Sequence, residues 1–338
     1  MKLPLGKVPP SLLGETVFRF LGAERNDVLF GPSKGEDAAI VRVGRNLLAL
    51  HCDPISGAYG RIGWIAINIA TNDIATRGIL PRWVITCILL PEGSEQSLLE
   101  SICRDMGTAA KRLDVAIVGG HSEVTPGLSH PVVVVFPVGV AKGQHYALSC
   151  NTRPGNKIIL TKSIGIEGTA ILAHDREELI SKRFGEEFVL RAKAYFDDLS
   201  ILTEALAAFR ARGVKGMHDP TEGGLAGGLN EMCDAAGLGF RVYEDQIPIR
   251  SETSEICKLF QLDPLALISS GALLITAEAE KVEKVKKRIT EAGVPATVIG
   301  ETLREREKRL IRRKNGREET LAMPLSDQLW TALAQQVD

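Results

Sequence analysis

The chain has 338 residues, enough length for two domains and a sizeable core. Hydrophobic residues make up 44% and charged residues 25%, an ordinary globular balance, and no apolar run approaches a membrane span. Lys and Arg number 41 against 42 Asp and Glu, a net charge of −1, so no overall field recruits nucleic acid or an anionic membrane and neither is expected as a partner.

In chain order, Met1-Lys2-Leu3-Pro4 opens no signal peptide, which points to the cytoplasm. Apolar residues at helical spacing predict an amphipathic helix over 11–23 behind a Ser11 cap. After the turn at 31–35, β-rich runs at 38–43 and 47–52, split by Gly44-Arg45-Asn46, predict a hairpin that feeds Asp53 into a loop. A buried helix is expected within 60–78, then a strand at 82–90, a helix at 97–113 and strands at 115–118 and 132–140. The first domain is expected to span 1–150, with the linker at 151–155, and the second 151–338. The second opens with a strand at 157–161, a turn at Gly165 and Gly168 and a helix from Thr169, and continues as charged helix through Arg212. A glycine-rich helix start at 223–228, strands at 239–242 and 272–276, a helix at 279–292, Val298-Ile299-Gly300 and a hairpin turning at Asn315-Gly316 complete it. The fold class is therefore α/β (α+β). The basic run 304–317 reads as a solvated hairpin face rather than an RNA-binding arm.

Five acidic or glycine-rich stretches fall where strands should end or helices begin. They are Gly35-Glu36-Asp37-Ala38-Ala39, His51-Cys52-Asp53-Pro54, Thr71-Asn72-Asp73-Ile74-Ala75, Gly119-Gly120-His121-Ser122-Glu123 and His218-Asp219-Pro220-Thr221-Glu222-Gly223-Gly224. A carboxylate in apolar surroundings is costly unless it is paired or binds a metal, and Asp73 lies within an isoleucine-rich helical run. Hard carboxylates from several loops, without His/Cys clusters, suit Mg²⁺ held together with substrate phosphates. For Asp53 and Asp219, each followed by proline, a helix cap is the alternative. Gly223 to Gly228 suits close backbone approach of a phosphate at a helix N-terminus, or tight helix packing. Gly165-Ile166-Glu167-Gly168 lacks the dinucleotide-binding spacing, and there is no P-loop, GxSxG elbow or HExxH. Six scattered cysteines without a CxxC pair read mostly as small hydrophobes in a reducing compartment.

Taken in order, these stretches resemble the AIR synthase-related (PurM-like) superfamily, which includes the hydrogenase maturation protein HypE, selenophosphate synthetase and thiamine-monophosphate kinase. The resemblance spans roughly residues 10 to 320. Residues 35–39 resemble GDDAA, with Glu36 in place of one Asp. Asn72-Asp73-Ile74-Ala75 with Gly78 and Pro81 resembles NDLA..GA.P, residues 119–127 resemble GGETAEMPG, and Asp219 to Ala226 resemble the DPTRGGLA of HypE. The resemblance implies a PurM-like fold whose N-terminal domain pairs with its twin as a dimeric β-barrel in a homodimer, beside a C-terminal α/β domain. ATP and Mg²⁺ would lie between the domains. Asp37, Asp53, Asp73, Glu123 and Asp219 would hold metal. Asp37, Asp53, Asn72, Gly120, Asp219, Thr221, Gly223 and Gly224 would line ATP. Asp73 and His121 would be catalytic, with a backbone-bonded structural role as the alternative for His121. The implied reaction is phosphoryl transfer from ATP to an oxygen of an unidentified small molecule or partner protein. HypE works on a cysteine at its extreme C-terminus, whereas this chain ends Gln335-Gln336-Val337-Asp338 and its last cysteine is Cys257. A non-catalytic ATP-binding maturation or scaffold protein is accordingly the second reading.

Overall fold

A computed structural model describes residues 3, 5–8, 10–141, 143 and 145–335, with the side chains of Pro10 and Ser11 excepted. Met1, Lys2, Pro4 and residues 336–338, on which the leader and chain-end expectations fall, lie outside the described residues, as does the Ser11 cap. The opening helix α1 (Pro10–Glu15) stops early and a single 3-10 turn at Val17–Arg19 follows. Val17, Phe20 and Leu21 of the expected apolar stripe are exposed, and so short a helix without a packed face does not propagate.

The first sheet contains β1 (Val28–Phe30), β2 (Ala39–Val43), β3 (Asn46–Leu50), β4 (Asp53–Ile55), β5 (Pro81–Leu90), β6 (Ala116–Val124) and β7 (Val132–Ala141). Between them run α2 (Ile62–Ala75) and α3 (Gln96–Arg112). Strand order is β1-β2-β3-β7-β5-β6, with β4 beside β7, and only β5 and β6 pair in parallel. Two expectations change here. Asp53 begins a short strand paired to Val135 rather than entering a loop, and β6 runs on through Val124, so Gly119 to Glu123 are strand, held by pairing with the full length of β5. All fourteen residues of α2 are buried. Gly63 lets α2 lie directly on α3, because a Cβ there would strike the Ile102 carbonyl. Within one chain the sheet is open, with β1 and β6 as its edges, and no barrel closes.

The second sheet has order β14-β13-β10-β12-β8-β11-β9. Its strands are β8 (Lys157–Thr161), β9 (Val214–His218), β10 (Gly239–Tyr243), β11 (Leu274–Ala277), β12 (Ala296–Leu303), β13 (Arg309–Arg312) and β14 (Glu318–Thr320). Its helices are α4 (Ile166–Asp175), α5 (Glu177–Phe184), α6 (Glu186–Lys193), α7 (Leu202–Arg210), α8 (Gly224–Ala236), α9 (Ser251–Phe260), α10 (Val282–Glu291) and α11 (Gln328–Ala334). Period-2 alternation sends Ile158 and Leu160 toward α8 and Ile159 toward α7 and α10, so this sheet is covered on both faces. The charged run expected as a hairpin face forms β13 and β14, its arginines paired with Asp234, Glu244 and Glu319. A third core joins α2 and α3 to α4, α6 and α9. Across it the Trp64 Nε1–H donates to the Phe196 carbonyl at 2.7 Å. Of the cysteines, only Cys233 and Cys257 are buried, and all six are free thiols. No helix of the described residues is long and apolar enough to cross a membrane.

Candidate active site

Four aspartates converge from four places: Asp37 in the turn before β2, Asp53 at the start of β4, Asp73 inside α2 and Asp219 just beyond β9. Carboxylate oxygens of Asp37, Asp73 and Asp219 lie within 4.8 Å of one another, and His51, Asp53 and Asp73 form a second such group. They line a cavity of about 460 Å³ between the two sheets, together with Lys7, Thr221 and Glu222. That is ample for a small-molecule ligand.

The cluster is divided electrostatically. His218 Nδ1 lies 2.6 Å from Asp37 Oδ1, its Nε2 lies 3.0 Å from Glu231 Oε2, and Glu231 Oε1 meets Lys7 Nζ at 2.9 Å. Burial opposes every charge in this chain of groups, but mutual attraction prevails. Asp37 and Glu231 are held at about 2 and His218 at about 10. The other three aspartates have no such cation. Burial lifts Asp53 to about 7 against the pull of Lys7, and burial with the nearby Asp37 lifts Asp219 to about 7. Asp73 is pushed well above the carboxylate range, first by burial and then by Asp219, Asp53 and Asp37. His51 Nε2 approaches Asp73 Oδ2 to 3.3 Å, yet burial holds His51 down near 4.

These acids look outward for a partner. Asp37 Oδ2, Asp73 Oδ2 and both carboxylate oxygens of Asp219 are buried with no hydrogen-bond partner. Unpaired buried oxygens are costly, and an all-oxygen donor set fits a hard divalent cation such as Mg²⁺. The helix-cap alternative fails on the same observations: Asp53 starts a strand, and the Asp219 oxygens accept no hydrogen bond from the chain.

Other expected site residues fall elsewhere. Asn72 points away from Asp73, as adjacent helical residues must. Its Nδ2–H donates to the Leu199 carbonyl at 2.8 Å and its Oδ1 accepts from the Ile201 N–H at 3.0 Å, so it ties α2 to the second sheet's layer and is not among the residues lining the cavity. The Gly223 N–H donates to Asp327 Oδ2 at 2.7 Å and the Gly224 N–H to the Thr221 carbonyl at 2.9 Å, so neither is free for a phosphate. Gly224 exists for packing, since a Cβ would strike the Leu267 carbonyl. Thr221 does line the cavity. Gly120, His121 and Glu123 lie on the exposed edge strand β6, where His121 Nε2 and Glu123 Oε2 are 2.9 Å apart. Register runs Asp53 to Val135, Val135 to Thr86 and Thr86 to Gly120. Three interstrand spacings, about 14 Å, therefore separate β6 from Asp53 in the same chain.

Several lining residues escaped sequence reading. Residues 5–8 cross the cavity mouth, the Lys7 N–H donating to Glu222 Oε2 at 2.8 Å. Lys7, Glu167 and Trp330 come together only through the tertiary fold, and behind the lining Glu231 pairs with Lys7. For His218 the one local signal is its adjacency to Asp219.

Residues 35–141 match the AIR synthase related protein N-terminal domain, and residues 153–313 match the C-terminal domain of the same description. The chain is similar to a putative hydrogenase expression/formation protein of Methanocaldococcus jannaschii, 28% identical over 331 residues and 95% of each chain. It is also similar to carbamoyl dehydratase HypE of Bradyrhizobium diazoefficiens, 30% identical over 285 residues, covering 80% of this chain and 79% of the relative. In fold it is similar to the crystal structure of hydrogenase maturation protein HypE in complex with ATP, with a TM-score of 0.70 at 24% identity over 98% of both chains.

Proposed function

The chain belongs to the AIR synthase related family, and on that premise we propose that it is an ATP- and Mg²⁺-dependent enzyme transferring a phosphoryl group to an oxygen of its acceptor. The observation that carries this is the trio Asp37, Asp73 and Asp219, whose unpartnered oxygens converge at a cavity large enough for the nucleotide. The relative solved with ATP and those named carbamoyl dehydratase support the same reading.

Asp37, Asp53, Asp73 and Asp219 would hold the metal. When bound, Mg²⁺ neutralises phosphate charge and stabilises the charge that develops during transfer. The chain's own part is positioning. His218 keeps Asp37 ionised, so one ligand is ready in the absence of metal, while Asp53 and Asp219 give up protons as a cation arrives. Lys7 brings a positive charge to the mouth of the cavity, where a polyphosphate would enter. The units 1–150 and 151–338 each contribute to the cluster, so their packing assembles the site. We assign the protein to homodimers joined through the first sheet, in which His121 and Glu123 of one copy serve the cleft of the other. The support is the apolar outer surface that this sheet exposes at Trp83, Ile85 and Phe136, which register places on one face.

The test is calorimetric titration of ATP with and without Mg²⁺, with ADP release measured on the same protein. Binding is expected to require Mg²⁺ and to weaken at least about tenfold in Asp73→Asn, as loss of a metal-binding charge does. ATP binding indifferent to both Mg²⁺ and Asp73→Asn would overturn the assignment. Mg²⁺-dependent binding without ADP release on any acceptor would leave the non-catalytic maturation or scaffold role.

A further inference from the structure

Beside the aspartate cavity lies a second recess of about 50 Å³, walled by Glu167, Glu222, Asp327, Trp330, Ile171 and Ile268. Glu167, Glu222, Ile268 and Trp330 also line the main cavity, so the two spaces communicate. The recess has room for the end of a molecule a few atoms across, not for a nucleotide.

Its polar groups are unequally engaged. Both Asp327 oxygens are spent on backbone, Oδ2 accepting from the Gly223 N–H and Oδ1 from the Leu329 N–H, each at 2.7 Å. Glu222 Oε2 accepts from Lys7. Glu167 differs. It sits in the first turn of α4, only 3% exposed, and its Oε2 has no partner. Trp330 Nε1 is likewise buried without a partner. The indole is threaded between two glycines: a Cβ on Gly6 would come within 2.8 Å of Nε1, and one on Gly57 within 2.9 Å of the ring's far edge. Nε1 thus faces the strap that crosses the main cavity.

Among the described residues no Lys, Arg or His lines the recess. A metal does not answer the unpaired carboxylate, because among the described residues the only close ligand groups are the aspartate sets, and none includes Glu167, Glu222 or Asp327. What remains is a ligand that donates N–H to a carboxylate, tolerates an aromatic wall and offers an oxygen toward the indole N–H. The geometry points to this recess as the acceptor subsite, holding a cationic nitrogen, ammonium or guanidinium, against Glu167 while the Trp330 Nε1–H donates to a neighbouring oxygen of the same molecule at the edge of the aspartate cavity. The word acceptor rests on the phosphoryl-transfer reading above, whereas the amine site does not. Burial raises Glu167 to about 8, opposed by the nearby Ser270 hydroxyl and reinforced by the charges of Asp327, Asp53 and Glu222, so an arriving cation also favours its ionised form.

The probe is ethanolamine, compared with its uncharged isostere 1-propanol, with binding followed by saturation-transfer NMR on the full chain. Ethanolamine is expected to bind saturably and 1-propanol not to. Glu167→Gln should weaken ethanolamine about tenfold, the loss of a charge-assisted hydrogen bond, and Trp330→Phe, which keeps a ring but no N–H, by a smaller factor. Equal binding of the two probes, or affinity unchanged in Glu167→Gln, overturns the inference. Should Glu167→Gln unfold, the two-probe comparison on the unaltered protein and the Trp330→Phe variant still decide. Mg²⁺–ATP titrated into the same samples separates the two readings. ATP bound without ethanolamine removes the amine site alone, and ethanolamine bound without ATP removes the phosphoryl-transfer reading while the amine site stands.

Discussion

Asp73 and Glu252 are both buried acids with opposite fates, and neighbours rather than burial make the difference. Asp73 faces three other aspartates and is pushed toward its neutral form. Burial would also raise Glu252, but Arg191 Nε donates to its Oε1 at 2.8 Å, and Tyr195 Oη at 2.9 Å and Ser251 Oγ at 2.8 Å donate to its Oε2. These donors hold it at about 2. A depressed carboxyl contributes stability that is complete above its unfolded value of 4.5 and is lost as pH falls through about 2. Glu252→Gln is therefore expected to have a lower urea midpoint than the parent near neutral pH, with the gap closing progressively on acidification. A gap that stays constant with pH would mean that packing, not charge, is what the substitution removes. The suspicion attached to Asp73 was legible in the sequence because an acid stood among isoleucines. Nothing local marked Glu252, because Arg191 and Tyr195 reach it from another part of the chain.

At the scale of elements, α2 does most to position the site, since it carries Asp73 on one side and Asn72 on another. Its glycine at the α3 crossing places helix against helix with no space for a methyl group. Gly63→Ala is expected to destabilise the fold by about 1–3 kcal/mol, the usual range for overpacking, and to displace Asp73 with the helix. Chemical denaturation measures the first effect and the Mg²⁺ dependence of ATP binding the second. Most element types follow from periodicity and turn chemistry, as in the β2–β3 hairpin turning at Gly44 and the β13–β14 hairpin turning at Gly316. The misses share one cause. The end of α1, the strand at Asp53, the extension of β6 to Val124 and the strand β9 all depend on what the segment pairs or packs with.

For the whole molecule, the outer surface of the first sheet is the main unbalanced feature. All nine residues of β6 are exposed, and with the apolar side chains of β5 and β7 they leave a long hydrophobic edge of the kind proteins cover. If homodimers form there, Ile85→Lys, on the outer face beside Phe136, should yield a monomer by light scattering while the fold is retained, and ADP release should fall with it because His121 and Glu123 are then withdrawn from the neighbouring cleft. A dimer that persists in Ile85→Lys, or a monomer with full turnover, would place the partner surface elsewhere.

The chain by itself determined that carboxylates from several segments meet in an apolar setting, and which segments those are, because an acid next to glycine, proline or isoleucine is a local signal. It also carried the order of motifs by which the family is recognised. Only the tertiary structure decided which acids share a cavity. Asp37, Asp53, Asp73 and Asp219 converge, and Glu123 and His121 do not within one chain. It also decided which glycine N–H groups are already spent, and that Lys7, Glu167 and Trp330 belong to the same place. Distances across a sheet and protonation inside a cavity arise from pairings between residues more than a hundred positions apart, and no short stretch of sequence records them.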